Sequence, residues 1–375
     1  MKDEKKVEYL ELIYDLIFVY VIGRNNSLLQ HVEGGFVSGT TFLAFVLSSL
    51  AVIQIWNFST FYINMHGRNG VRDHIALFLN MYLLYYIGEG TRVHWATYQN
   101  QYHLAWALIL LNIGVQYAIE LRNHKHDPTA QRSIKRMMFV LFGETALILV
   151  CVPIYNRTGT ALAAVPIVFG MVMTRILSDE SKAALIDFTH LTERAMLFVV
   201  FTFGEMIVCI ASYFEGGFSL SSVYFSAMCF LIVAGLFLCY EVLYDHIIDR
   251  EMQTTGINYM IVHIFLLFSL NCLTASLEFM RSEEVLLWPK TLMLIASFLV
   301  YFVCLFSLQR YAKPELKLCR SFLTPLVIGG AVFTGLMLLL RENMRLNIFL
   351  SAAAVFAVFF FMLHFSRSRE RECKR

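Results

Sequence analysis

Two acids stand inside the first apolar segment of the chain, Glu11 and Asp15 in the run Glu11-Leu-Ile-Tyr14-Asp15-Leu-Ile-Phe18-Val19. Four residues apart, they share one face of a helix, and Glu8 extends the stripe by a turn. A carboxylate in hydrocarbon costs about 2.5–3.5 kcal/mol at a helix centre on insertion scales. Acids so placed face a bundle interior, a water-filled cavity or a partner. They suit ion or proton passage, solute binding, or a static ion pair.

A second constellation follows in His190-Leu-Thr-Glu193-Arg194, with Phe203-Gly204-Glu205 further along the same apolar segment. His190 and Arg194 are four apart, and Arg194 and Glu205 lie close to one stripe at 3.6 residues per turn. With Asp187 they form a charged line along a membrane helix, with Glu205 deepest. This line is either a hydrophilic pathway or an ion-pair network that fixes helix packing. Asp15 and Arg194 are complementary, so a salt bridge between the two segments is expected if they share an axis. Four weaker candidates are Glu144, Trp56, Glu241 and Asp245. Glu144 repeats the Phe-Gly-Glu pattern of Glu205. Trp56 is either a cavity wall or ordinary packing. Glu241 and Asp245 share a face beside Tyr240 and Tyr244, where interfacial anchoring is the plain alternative. His124 and His126 sit in a basic loop, too weak a signal to assign a metal site. No nucleophile elbow, P-loop, HExxH or dinucleotide fingerprint occurs in a suitable context, so no catalytic residue is assigned.

The elements that must position these residues are apolar. Of 375 residues 58% are hydrophobic and only 15% charged, against about 25% charged in soluble domains. Twelve apolar segments lie near 9–30, 38–63, 71–91, 103–121, 136–155, 160–177, 188–213, 219–245, 257–278, 288–309, 321–340 and 346–366. Each approaches the roughly 20 residues a membrane helix needs. Gly88-Glu89-Gly90 weakens the third, and Pro153 and Pro166 fall in the fifth and sixth. The eight cysteines show no paired spacing and read as apolar packers. The first segment carries acids and lacks a small-residue cleavage site, so it reads as an uncleaved insertion signal.

If the N-terminus is inside, most of the 30 Lys and Arg fall in cytoplasmic segments, including the tail Arg367 to Arg375. The outer loops hold few, among them Arg24, Arg92 and Arg157. This bias places both termini in the cytoplasm and favours an even number of spans. No connecting loop is long enough for a soluble domain, which disfavours nucleic-acid binding.

The chain also reads as two halves, residues 1–180 and 181–375, the second with a short basic tail. Glu11 corresponds to Glu193, and the third segment of each half opens on His-Ile, at His74 and His263. A near-constant offset of about half the chain suggests a six-plus-six duplication, which keeps both halves in one orientation as a parallel repeat.

Both charged segments resemble the bacterial low temperature requirement A (LtrA) family. Glu11-Leu-Ile-Tyr-Asp15-Leu-Ile-Phe-Val19 is similar to that family's opening Glu-Leu-Phe-Phe-Asp-Leu-Val-Phe-Val. His190-Leu-Thr-Glu193-Arg194-Ala-Met-Leu-Phe198, with Phe203-Gly204-Glu205, is similar to its His-x-x-Glu-Arg-Phe-Gly-Leu-Phe followed by Leu-Gly-Glu. Departures at Ile13, Tyr14, Ala195, Met196 and Phe203 spare every charged position. The family is named for a growth phenotype in the cold, and the resemblance implies no molecular activity. A fainter similarity links the Asp15 motif to a potassium-channel family whose first helix carries Phe-Ser-Asp.

The expectation is an all-α polytopic protein of a bacterial cytoplasmic membrane, with about twelve transmembrane helices. Its first reading is a transporter or permease in which Glu11, Asp15, His190, Glu193, Arg194, Gly204 and Glu205 form the pathway of a small solute or ion. The alternatives are an ion channel lined by the first and seventh helices, or a membrane enzyme acting on a lipid-linked substrate. Partners are the lipid bilayer and that solute. A homo-oligomer is compatible, and no residue pattern specifies a cofactor.

Overall fold

The computed structural model describes residues 5–30, 32–90, 95–158, 162–178, 186–214, 217–317 and 320–373. Lys2, Arg92, Lys182, Lys374 and Arg375 of the charge bias, and Cys319, lie outside them. Among the described residues twelve α-helices fall on the twelve apolar segments. They are α1 (Tyr9–Asn25), α2 (Gly39–His66), α3 (Val71–Gly90), α4 (Trp95–Asn123), α5 (Pro128–Thr158), α6 (Ala164–Ile176), α7 (Phe188–Ile210), α8 (Leu220–Glu241), α9 (Ile257–Arg281), α10 (Leu287–Ser307), α11 (Arg320–Leu339) and α12 (Met344–Cys373).

Among the described residues nine helices are long and apolar enough to cross a membrane. The other three are α1, α3 and α6, and each departs for a visible reason. The 17-residue α1 carries Glu11 and Asp15. Helix α3 is diluted by Arg72, Asp73, His74 and three tyrosines. At 13 residues, α6 is only about 20 Å long. Pro166 is the third residue of α6, in the first turn, where its missing N–H has no helical partner to lose. Large apolar side chains on α3, such as Ile75, Phe78 and Tyr82, point outward, as lipid-facing residues do.

One short element breaks the all-helical expectation. Val32–Glu33 (β1) and Phe36–Val37 (β2) form an antiparallel hairpin. Its two turn residues, Gly34 and Gly35, both have positive φ, at 65° and 93°. A two-residue turn of this hand matches strand twist and favours glycine at both positions.

The described chain forms two compact units. The first comprises Met1–His31, Ser38–Phe198 and Glu251–Ile264; the second comprises Val32–Val37, Val199–Arg250 and Phe265–Arg375. In the first unit α2 is the central helix, buried on every side from Ala51 to Asn64. A helix buried all round must also bury its polar residues, here Gln54, Asn57, Ser59, Thr60 and Asn64. In the second unit α8 packs on α12 through Gly235, where a Cβ would lie 2.7 Å from Val355 Cγ1. The Tyr301 hydroxyl donates to the Leu236 carbonyl at 2.8 Å.

Candidate functional site: a buried ion-pair cluster on α1, α2 and α7

The first unit brings the two charged segments together. Glu11 and Asp15 on α1 face His190 and Arg194 in the first two turns of α7, and all four are buried. Arg194 Nη2 pairs with Asp15 Oδ1, and Arg194 Nη1 lies 3.2 Å from Glu11 Oε2. His190 Nε2 stands 3.3 Å from the same Glu11 oxygen. The expected bridge between Asp15 and Arg194 is therefore present.

Helix α2 closes the third side. Trp56 Nε1 donates to Asp15 Oδ1 at 2.8 Å, and its ring lies 4.3 Å from Phe198. Trp56 is thus packed against Phe198 and hydrogen-bonded to the acid. Tyr14, next to Asp15 in the chain, is fully buried, and its hydroxyl meets Ser59 at 2.9 Å and accepts from Asn80 at 3.2 Å.

Asn64 sets the imidazole. Its Nδ2 reaches His190 Nδ1 at 3.0 Å and donates to the Asp187 carbonyl at 2.8 Å. An amide donor at Nδ1 assigns the proton to Nε2, the nitrogen facing Glu11. Asn64 Oδ1 accepts from the Asp187 amide at 3.1 Å, and Asp187 Oδ1 accepts from the His190 amide at 3.0 Å. Asp187 thus caps α7, satisfying an N–H that the helix cannot. Lys5 performs the opposite service for α2. Its ammonium donates to the carbonyls of Ile63 and of Gly67, the latter at 2.9 Å, where the helix dipole is negative. Burial holds the Lys5 ammonium below the usual lysine range, against the opposing pull of Glu11.

At its centre the cluster has two carboxylates for one guanidinium. The Lys5 ammonium also acts electrostatically on Glu11. Asp15 Oδ2 and Arg194 Nε are buried without a hydrogen-bond partner among the described residues. A donor and an acceptor left open in one buried cluster can take water, a proton or a polar group of a solute.

The bacterial low temperature requirement A protein (LtrA) family model matches residues 6–364, which include both charged segments. The chain belongs to this family. No curated protein and no solved structure matches it. The two segments that resemble the LtrA motifs are the two that meet at Arg194.

The other candidates of this LtrA chain lie elsewhere. Glu193 is half-buried and forms no ion pair among the described residues. Glu144 belongs to the first unit but pairs with Gln54, not with the cluster. Gly204 and Glu205 belong to the second unit, where Cys209 Sγ lies 3.9 Å from Glu205 Oε1. Glu241 and Asp245, also in the second unit, are exposed. There Tyr240 stacks on Tyr244, and Arg250 sits 5.1 Å above the Tyr244 ring.

Sequence reasoning missed two groups. The first is the polar stripe of α2, in which Gln54, Asn57 and Asn64 recur at helical spacing. That periodicity is readable and marks the central helix. The second surrounds the buried Glu120 on α4. Arg72 Nη2 lies 2.6 Å from Glu120 Oε1, Arg68 Nη2 3.6 Å from Oε2, and Asn123 donates to Oε2 at 3.1 Å. His66, Glu120 and His124 offer metal-ligand atoms within 4.8 Å of one another. Two guanidiniums already at that carboxylate oppose a divalent cation there.

Proposed function

We propose that this LtrA-family protein is a permease of the bacterial cytoplasmic membrane. It crosses the membrane twelve times, with both termini inside, as two six-helix halves split near residue 180. Its site for a small solute or ion comprises Glu11, Asp15, His190 and Arg194, and the sequence motif alone assigns Glu205 to the same task. One observation carries the reading: a buried cluster with one more carboxylate than guanidinium, and with open polar atoms on both Asp15 and Arg194. A purely static pair is best served when every lone pair and proton is satisfied. Open polar atoms suit a site whose occupancy changes.

The test is flux in proteoliposomes. A screen for ligands that raise the melting temperature of the purified protein selects the solute, because binding stabilises the folded state. Asp15→Asn and Glu205→Gln are expected to abolish transport of that solute while the protein still folds. Full flux in both variants overturns the reading. Current driven by voltage alone, without solute coupling, replaces it with the channel.

A further inference from the structure

Glu144 sits in surroundings that differ in kind from the cluster at Arg194. It lies within α5, fully buried. Gln54 Nε2 on α2 lies 3.4 Å from Glu144 Oε2 and donates to the Ile167 carbonyl of α6 at 3.2 Å. No charged or titratable side chain on α2, α4 or α6 faces the carboxyl among the described residues. An isolated carboxylate in such a place is far too costly to persist, and the group is kept neutral instead.

Helix α6 is built around this carboxyl. Gly170 lies against it, and a Cβ there would overlap both Glu144 Oε2 and Gln54 Nε2. The close approach is reinforced at Gly143, where a Cβ would lie 2.9 Å from the Phe169 ring. Three buried oxygens in this region lack a hydrogen-bond partner among the described residues: Glu144 Oε1, Gln54 Oε1 and Thr174 Oγ1, the last one turn beyond Gly170 on α6. Of these, Gln54 Oε1 can only accept and the Thr174 hydroxyl can accept or donate, so a proton on the carboxyl adds a donor to a region with open acceptors. The space matters as much as the chemistry. On the Gly170 side the packing leaves no room for a sodium or potassium ion, whose oxygen ligands stand about 2.3 Å or more from a cation of that size.

We propose that Glu144 is an exchangeable proton-binding site, protonated while Gly170 of α6 packs against it and deprotonated when α6 moves away. The element that would have to open is α6. At about 20 Å, this helix is shorter than the roughly 30 Å hydrocarbon core. Calling this proton the coupling ion rests on the permease reading; the existence of the site does not.

The experiment is infrared difference spectroscopy of the full-length protein in lipid nanodiscs, titrated with acid and alkali. A protonated carboxyl has a carbonyl stretch that an ionised one lacks. The expected result is a protonated-carboxyl band that disappears on alkalinisation in the wild type and is missing from Glu144→Gln. Gly170→Ala keeps the carboxyl but crowds it, and is expected to shift the midpoint of that band. This second variant decides the matter if Glu144→Gln fails to fold. A Glu144 band that stays constant over the whole folded pH range overturns the proposal, as does a Glu144→Gln spectrum that loses no band. A midpoint that moves with sodium at constant ionic strength also overturns it, in favour of a sodium site. Flux is read separately. Titration without any solute flux leaves the proton site standing and removes the permease. Flux with a constant band does the reverse.

Discussion

Asp15 and Glu144 are both acids buried within the first unit, and they are opposites. Asp15 has a guanidinium and an indole N–H on one oxygen. Among the described residues Glu144 has a single amide contact and no cation. The first arrangement stabilises a charge that water can no longer solvate; the second has no means to, and favours the neutral acid. Burial alone therefore says little about what a membrane carboxyl does. Its neighbours decide whether it holds a charge or a proton.

The largest effect that would sharpen this contrast is loss of Arg194. Arg194→Gln leaves Glu11 and Asp15 facing each other without their cation, and removing one partner of a buried pair costs about 3–5 kcal/mol. We expect a large drop in folded yield and melting temperature in detergent. Adding Asp15→Asn to Arg194→Gln should recover much of the loss, since one anion is gone as well. Glu144→Gln, which orphans no ion, should change stability by less than about 1 kcal/mol. Equal losses at Arg194 and Glu144 would break the distinction between the two sites.

Next in size is Trp56→Phe, which keeps the ring against Phe198 and removes the N–H that Asp15 accepts. A hydrogen bond to a charged group contributes about 1.5–3 kcal/mol. The loss should shrink in an Asp15→Asn background, because the acceptor is then neutral. An unchanged loss there would place the effect of Trp56 in packing.

Much of this architecture is legible in the amino-acid order. The charged positions of the two LtrA-like segments, and the complementarity of Asp15 and Arg194, stand out because charges are rare in apolar helices and need partners. The helix positions stand out because twelve apolar runs are separated by polar loops. What stays hidden depends on third parties. Nothing in the sequence near Asp15 or His190 says that Trp56 and Asn64 of another helix complete the cluster. The same holds for Glu120, whose partners Arg68 and Arg72 lie beyond α2 at the start of α3. The Gly-Gly hairpin before α2 escapes notice because two-residue strands give almost no periodic signal.

The matching Phe-Gly-Glu patterns supply the finest comparison. Gly143 and Gly204 each precede an acid, and the sequence treats them alike. Around Gly143 a Cβ would press on the Phe169 ring, whereas at Gly204 it would meet nothing within 4 Å. Glycine in a helix costs about 0.5–1 kcal/mol relative to alanine when no packing requires it. Gly204→Ala should therefore raise the melting temperature slightly, and Gly170→Ala, whose Cβ must displace the Glu144 carboxyl, should lower it by the equivalent of about 1–3 kcal/mol. If Gly204→Ala gains stability but loses flux, the glycine serves movement around Glu205, because the static packing there gives it no other task. If it gains stability and keeps full flux, Gly204 leaves the pathway, and the echo of Phe142-Gly143-Glu144 is coincidence.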